Sequence, residues 1–213
     1  MSHREKNTTR GRLEVICGSM FSGKTEELLR RLKRAEFARQ GVLTIKHQID
    51  DRFHKATITS HNGRERIALP IDGTDASVDK IFELAGKDID VIGIDEVQFF
   101  PNKILEVICR LVDQGKRVVV AGLDLDFRGE PFGIMPLLLA IADEVVKLKA
   151  ICVVCAKDAH HSQRLVNNNP ARYDDPVILV GASEFYQARC RDCFQIDKKP
   201  RLGVDPVIKQ QTV

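Results

Sequence analysis

The chain has 213 residues, 43% hydrophobic and 30% charged, which is typical of a globular protein with one large domain or a domain plus a small appendage. Its 33 basic and 30 acidic residues give a formal net charge of +3, too even a balance to require a nucleic-acid or membrane partner. No apolar run has the length of a membrane span, and the N-terminus is polar where a secretory signal would be apolar. We therefore expect a cytoplasmic protein.

The first elements of the chain are a strand, a loop, a helix and a second strand. The apolar run Arg12–Gly18 predicts a buried strand, and Thr25–Gln40 carries apolar residues at helical spacing before a glycine. Val42–His47 predicts the next strand, and Asn62-Gly63 between two short β-like runs predicts a hairpin.

The same alternation of strands and helices continues to about residue 150. Helices are predicted in Ala76–Gly86, Asn102–Gly115 and near Ile134–Ala142, and strands in Ile89–Phe100, Lys116–Phe127 and near Val145–Ala150. Such alternation predicts an α/β domain with a parallel sheet and helical crossovers. From Ile151 onward two cysteine pairs flank a segment rich in Asn, Pro and Asp, so we place a domain boundary near Ala150.

The segment "GSMFSGKT" matches the phosphate-binding pattern G-x-x-x-x-G-K-[ST], between a predicted strand and a predicted helix. Its glycines allow backbone N–H groups to surround a polyphosphate at a helix N-terminus. Lys24 is expected to reach the β- and γ-phosphates, and the Thr25 hydroxyl to bind Mg²⁺. The alternative is a glycine-rich turn with an incidental lysine. The predicted loop residues are Gly18, Ser19, Met20, Phe21, Ser22, Gly23, Lys24 and Thr25.

Two acidic residues follow the apolar run of a later predicted strand. Asp95 is a candidate ligand or outer partner of the Mg²⁺ that accompanies ATP. Glu96 comes next, and because successive side chains of a strand point to opposite faces, the two carboxylates can have different roles. The alternative is that Glu96 is a solvated acid at a strand end. We extend the predicted nucleotide site through Val97 and Gln98.

Four of the six cysteines form two C-x-x-C pairs, a spacing typical of a tetrahedral zinc site. Four thiolates leave no open position on Zn²⁺, so the role would be structural. Disulfides are the alternative. His160 and His161 could substitute as ligands, although surface loop histidines are the simpler interpretation, and Cys17 and Cys109 are expected in the core. The candidate ligands are Cys152, Cys155, Cys190 and Cys193.

Six segments together resemble the type II thymidine kinases. They are "GSMFSGKT", "DDRF", "IDEVQFF", "GLDLDFRGEPFG", "CVVC" and "VGASEFYQARCRDC", in that order over roughly residues 12 to 193. The resemblance implies a RecA-like P-loop core at 12–150 and a smaller zinc-binding lasso domain at 151–194 that closes over thymidine. Residues 195–213 are polar and are expected to form a flexible tail.

The resemblance also implies roles for individual residues. Glu96 corresponds to the base that accepts the 5′-hydroxyl proton, and Arg52 to an arginine near that hydroxyl and the transferred phosphoryl group, with Asp50 as the acid of the same motif. The implied nucleoside pocket consists of Met20, Leu123 and Tyr186 around the thymine methyl group, Phe127 beside the base, and the backbone of Val180, Gly181 and Ala182 at the base edge.

The activity implied is transfer of the γ-phosphoryl group of ATP, with Mg²⁺, to the 5′-hydroxyl of thymidine. The resemblance further suggests a homotetramer and feedback inhibition by dTTP. Cys193 stands where vertebrate members have histidine, and this exchange keeps a tetrahedral zinc site. Phe53 stands where tyrosine is frequent, so the resemblance does not imply a hydroxyl contact from that position.

Two other functions are compatible with the motifs. One is a P-loop ATPase in which Glu96 activates water and the zinc module is an adaptor for nucleic acid or protein. It would need an arginine finger and a basic binding surface. The net charge of +3 does not favour a basic binding surface. The other is a nucleotide-binding module, for which a base and a Mg²⁺ acid are both unnecessary.

Overall fold

A computed structural model describes residues 10–48, 57–59, 65–178 and 185–198. The strands of these residues are, in chain order, β1 (Arg12–Gly18), β2 (Val42–His47), β3 (Thr57–Thr59), β4 (Glu65–Ile67), β5 (Leu69–Ile71), β6 (Val91–Asp95), β7 (Arg117–Gly122), β8 (Glu144–Leu148), β9 (Ala150–Ile151), β10 (Asp158–Ala159), β11 (His161–Val166), β12 (Asn169–Pro170) and β13 (Phe185–Arg189). The α-helices are α1 (Lys24–Phe37), α2 (Asp75–Leu84), α3 (Lys103–Asp113) and α4 (Met135–Ile141), and a 3₁₀ turn covers Val97–Phe99.

A six-stranded parallel sheet in the order β5-β2-β6-β7-β1-β8 forms the centre of the molecule. Strand β7 lies between β1, which leads into the phosphate loop, and β6, which ends at Asp95. This arrangement confirms the predicted α/β class with a parallel sheet. Because the strands are parallel, the carboxyl ends of β1, β6 and β7 meet at one edge, where ligands of such sheets bind.

Both faces of the sheet are covered, as a parallel sheet requires. Along β1, Val15 and Cys17 face the cluster that includes buried residues of α2, α3 and α4, while Ile16 faces α1. On the α1 face the buried carboxylate of Glu14 pairs with Arg31 at 2.5 Å and with Arg117 at 2.6 Å. The Arg31 pair attaches α1 to the sheet through charge as well as apolar contact, and the Arg117 pair links β1 to β7.

Several predictions for the first half require correction. The strands predicted at 89–100 and 116–127 are shorter, since β6 ends at Asp95 and β7 at Gly122. Helix α1 ends at Phe37, three residues before the predicted Gln40, because Arg39 adopts a φ of +59°. Cys109 is exposed, whereas a buried position was expected. The inward face of α3 consists of Ile104, Val107, Ile108 and Leu111, and helical periodicity places residue 109 away from that face. Cys17 is buried as expected.

The segment between the cysteine pairs is more ordered than its composition indicated. A three-stranded antiparallel sheet in the order β12-β11-β13 occupies part of it, and β9 pairs with β10. The hairpin predicted around Asn62-Gly63 has its strands β3 and β4 paired antiparallel, while its turn lies outside the described residues. Within the described part of the chain, no helix is long and apolar enough to cross a membrane.

Candidate active site and metal site

The loop between β1 and α1 is shaped by close backbone packing. Gly18 has a φ of +144°, and a Cβ there would lie 2.4 Å from the carbonyl oxygen of Leu148 in β8. Gly23 is the N-cap of α1, so the helix N-terminus follows the loop directly. Since the helix dipole is positive at this end, the loop has the geometry that favours an anion.

Lys24 supplies a buried positive charge within this loop. Its side chain crosses the loop and donates from Nζ to the carbonyl oxygen of Ser19 at 2.8 Å, and the Ser22 hydroxyl donates to the same oxygen at 2.8 Å. Lys24 is only 8% exposed. A buried ammonium beside a helix N-terminus is suited to a polyphosphate.

Asp95 and Thr25 form the oxygen-rich part of the site. The Thr25 hydroxyl donates to one carboxylate oxygen of Asp95 at 3.1 Å, and the Glu96 N–H donates to the other at 3.0 Å. Burial and then the charge of Glu96 raise the pKa of Asp95 to about 7, although these hydrogen bonds oppose the shift. A nearby divalent cation would favour the carboxylate, and hard oxygens are the ligands that Mg²⁺ prefers. The donor set therefore fits Mg²⁺.

Glu96 lies at the end of β6 in a left-handed conformation, with φ 51° and ψ 42°. This conformation is uncommon for a residue other than glycine, and such residues concentrate at functional sites. Its carboxylate accepts a hydrogen bond from Nε2 of Gln98 at 2.5 Å. The strained backbone and this bond hold the carboxylate at the ligand edge of the sheet.

Four residues of the expected nucleoside pocket are described: Met20 follows β1, Leu123 and Phe127 follow β7, and Tyr186 lies in β13. Leu123 follows β7, and its N–H donates to Oε1 of Gln98 at 3.0 Å. Phe127 is 4% exposed, and Tyr186 lies in β13 opposite Arg164 of β11. The N–H of Met20 donates to Oγ of Ser162 at 2.9 Å, so the phosphate loop contacts β11 directly.

Sequence reasoning missed Ser162 and Arg164 of strand β11. Arg164 has no exposed surface, and its guanidinium carbon lies 3.5 Å from the ring centroid of Phe127. It also donates from Nη1 to the carbonyl oxygen of Pro176 at 2.8 Å. The only signal in the sequence is a run of polar residues between the cysteine pairs, which does not by itself indicate burial.

Several predicted residues lie outside the described part of the chain. They are Asp50, Arg52, Phe53, Val180, Gly181 and Ala182. Their assignments, like the other individual site roles and the division into domains, stay predictions.

The four paired cysteines come together in space. Their sulfur atoms all lie within 4.8 Å of one another, and Sγ of Cys155 is 3.5 Å from Sγ of Cys190. A tetrahedral ion with Zn–S bonds of about 2.3 Å needs sulfurs about 3.8 Å apart. None of the four is in a disulfide. The cluster could therefore hold a metal such as zinc.

The charge state of the thiols also fits a cation. Hydrogen bonds with Cys190 and Cys155 raise the pKa of Cys193 to about 12, whereas the pKa of Cys152 is lowered to about 6. Burial opposes the shift at Cys152, and backbone hydrogen bonds from Cys190, Val154 and Cys155 outweigh it. Four crowded sulfurs cannot all ionise without a positive partner, which a metal ion supplies.

The histidines beside the first pair do not join this cluster. His161 is buried, with its ring stacked on Phe194 at a centroid distance of 4.5 Å. The interpretation of both histidines as surface loop residues is thus wrong for His161, because β11 carries it into the interior. Among the described residues, the candidate metal-binding group consists of the four cysteines.

The family model for thymidine kinase matches residues 11–194. The chain belongs to the thymidine kinase family. Among solved structures, the chain is similar to the genome packaging NTPase B204 from Sulfolobus turreted icosahedral virus 2, which was solved in complex with ATP-gammaS. The identity is 14%, the match covers 65% of this chain and 74% of that one, and the TM-score is 0.46. Within the thymidine kinase family, the edge of the sheet described above is the candidate active site.

Proposed function

We propose that this member of the thymidine kinase family transfers the γ-phosphoryl group of ATP to the 5′-hydroxyl of thymidine and so produces dTMP for deoxynucleotide salvage. The observation that carries the proposal is the convergence of a phosphate loop, the Thr25–Asp95 pair and Glu96 at one edge of the sheet. Family membership supports thymidine as the acceptor.

The protein's part in this reaction is positioning and charge neutralisation. Lys24 and the loop N–H groups hold the triphosphate, and Thr25 and Asp95 would hold Mg²⁺, which neutralises phosphate charge when bound. Glu96 accepts the proton of the 5′-hydroxyl, and Arg52 stabilises the transferred group. Thymine lies among Met20, Leu123, Phe127 and Tyr186.

The rest of the pocket is proposed on the same basis. The backbone of 180–182 pairs with the edge of the base, and the four cysteines hold a structural Zn²⁺ that fixes both ends of the lasso segment. We also propose a cytoplasmic homotetramer that dTTP inhibits and that requires neither nucleic acid nor a membrane.

A two-substrate assay tests the function. The purified chain is incubated with ATP and Mg²⁺, with and without thymidine, and ADP and dTMP are both measured. A kinase forms ADP and dTMP in equal amounts only when thymidine is present. Thymidine-independent ADP formation would instead support the ATPase, and no turnover would support the binding module.

The Glu96→Gln variant tests the role of the base. Its kcat should fall by about 10²- to 10⁴-fold, because the amide keeps the shape of the side chain and loses the proton acceptor. ATP binding should be retained. Near-normal turnover would remove Glu96 from this role.

A further inference from the structure

The side chain of Gln98 connects the two halves of the proposed reaction site. Its Nε2 donates to Oε2 of Glu96 at 2.5 Å, and its Oε1 accepts the N–H of Leu123 at 3.0 Å. Gln98 is 3% exposed, so water does not compete for these bonds. One buried amide thus contacts the proposed base and the backbone of a proposed nucleoside-pocket residue.

We propose that Gln98 is a positioning residue that fixes Glu96 relative to the bound nucleoside, and that it does not contact the nucleotide. This inference rests on the proposed function, and it replaces the sequence-based placement of Gln98 in the nucleotide site.

The two neighbours determine the orientation of the amide. A backbone N–H can only donate, so it must face the amide oxygen, and the carboxylate of Glu96 needs the amide NH₂. In the reverse orientation the amide NH₂ would face the Leu123 N–H, and the amide oxygen would face the Glu96 carboxylate, so neither hydrogen bond could form. The oxygen and the nitrogen of the Gln98 amide therefore each have a hydrogen-bond partner within the protein.

The surrounding packing restricts Gln98 further. A Cβ at Gly122 would lie 2.7 Å from Oε1 of Gln98, so the glycine at the end of β7 leaves the space that the amide occupies. A Cβ at Gly133 would lie 2.4 Å from the backbone oxygen of Gln98. With the backbone and side chain both enclosed, a displacement of Gln98 would move Glu96 and Leu123 together.

Two substitutions separate the two hydrogen bonds. Gln98→Glu keeps an oxygen to accept the Leu123 N–H but places a carboxylate against Glu96. Its kcat should fall about 10- to 100-fold, while the KM for thymidine stays within about threefold of wild type. Gln98→Met keeps the length of the side chain and loses both bonds, so kcat should fall and the KM for thymidine should rise at least about fivefold. The KM for ATP should stay within about twofold in both variants.

Gln114 provides the matched control, since it is exposed at the end of α3. Gln114→Glu and Gln114→Met should leave all three parameters unchanged. The KM for ATP also reports whether each variant keeps its phosphate loop intact. If Gln98→Met cannot be purified, the kcat and KM values of Gln98→Glu alone test the inference.

A raised KM for ATP with an unchanged kcat, or a kcat within about threefold of wild type in both Gln98 variants, would overturn the inference. These results differ from a failure of the proposed function, in which the wild-type chain itself forms no dTMP.

Discussion

Replacing Arg164 by methionine should destabilise the fold and weaken thymidine binding. Arg164 is fully buried, lies 3.5 Å from the centroid of the Phe127 ring and donates to the carbonyl oxygen of Pro176 at 2.8 Å. Its Nη2 is also 3.9 Å from a carboxylate oxygen of Asp175. Methionine fills a similar volume but can make none of these polar contacts.

The expected magnitude follows from these contacts. A desolvated cation–π contact contributes about 2 kcal/mol, and a hydrogen bond from a charged group contributes about 1.5–3 kcal/mol. Removing the charge also relieves the cost of burying it, which offsets part of the loss. We therefore expect the free energy of unfolding to fall by about 3 kcal/mol. For a chain of this length that corresponds to a decrease in Tm of about 6–12 °C.

Denaturant unfolding and thymidine kinetics measure the two effects. The KM for thymidine should rise several-fold because Phe127 loses its packing partner, while the KM for ATP changes less. Arg172→Met is the matched control: Arg172 pairs with Asp174 at 2.8 Å on the surface, and an exposed pair contributes about 1 kcal/mol or less. The reasoning is refuted if Arg164→Met lowers Tm by no more than the control and leaves the KM for thymidine unchanged.

Three further perturbations address the phosphate loop, the metal site and the Mg²⁺ acid. Lys24→Ala should weaken ATP use, because the charge proposed to hold the β- and γ-phosphates is lost; unchanged ATP kinetics would contradict this. Wild-type protein should contain about one Zn²⁺ per chain by elemental analysis, and Cys190→Ser should lose metal and weaken thymidine binding more than ATP binding. Asp95→Asn should abolish Mg²⁺-dependent turnover yet raise the free energy of unfolding at pH 8 in Mg²⁺-free buffer. Folding raises the pKa of Asp95 from 3.8 to about 7, so the wild-type protein loses stability at this group as the pH rises through that range. The free energy of unfolding that Asp95→Asn gains should therefore shrink as the pH falls toward 4.

The sheet and the chemistry of its ligand edge could be predicted because their signals are local. Apolar runs gave the bounds of β1 and β2 as the structure has them, and the phosphate-loop pattern depends on residues next to one another in the chain. The C-x-x-C spacing likewise gave the cysteine cluster, since each pair needs only a tight turn to present two sulfurs.

The contacts that organise the site could not be predicted because they join distant residues. Gln98 looks like any polar residue after a strand until the fold brings Leu123 to its oxygen. Arg164 would normally be placed on the surface, since arginine is rarely buried without partners. Its burial depends on Phe127 and Pro176, and nothing in their spacing along the chain indicates that they meet.

Strand β11 explains why the metal site should matter to both substrates. Alternate residues of a strand face opposite sides. Ser162 and Arg164 face the phosphate loop and Phe127, respectively, through the contacts with Met20 and the aromatic ring.

The other side of β11 faces the segment that follows the second cysteine pair. His161 stacks on Phe194, and Oε1 of Gln163 accepts the N–H of Gln195 at 2.8 Å. A metal that fixes Cys190 and Cys193 therefore fixes the residues against which β11 packs. The same strand then positions the phosphate loop and the aromatic ring of the proposed nucleoside pocket. Loss of the metal should accordingly affect ATP binding through Ser162, although less strongly than thymidine binding, because the proposed nucleotide-binding residues Lys24 and Thr25 belong to α1 and not to β11.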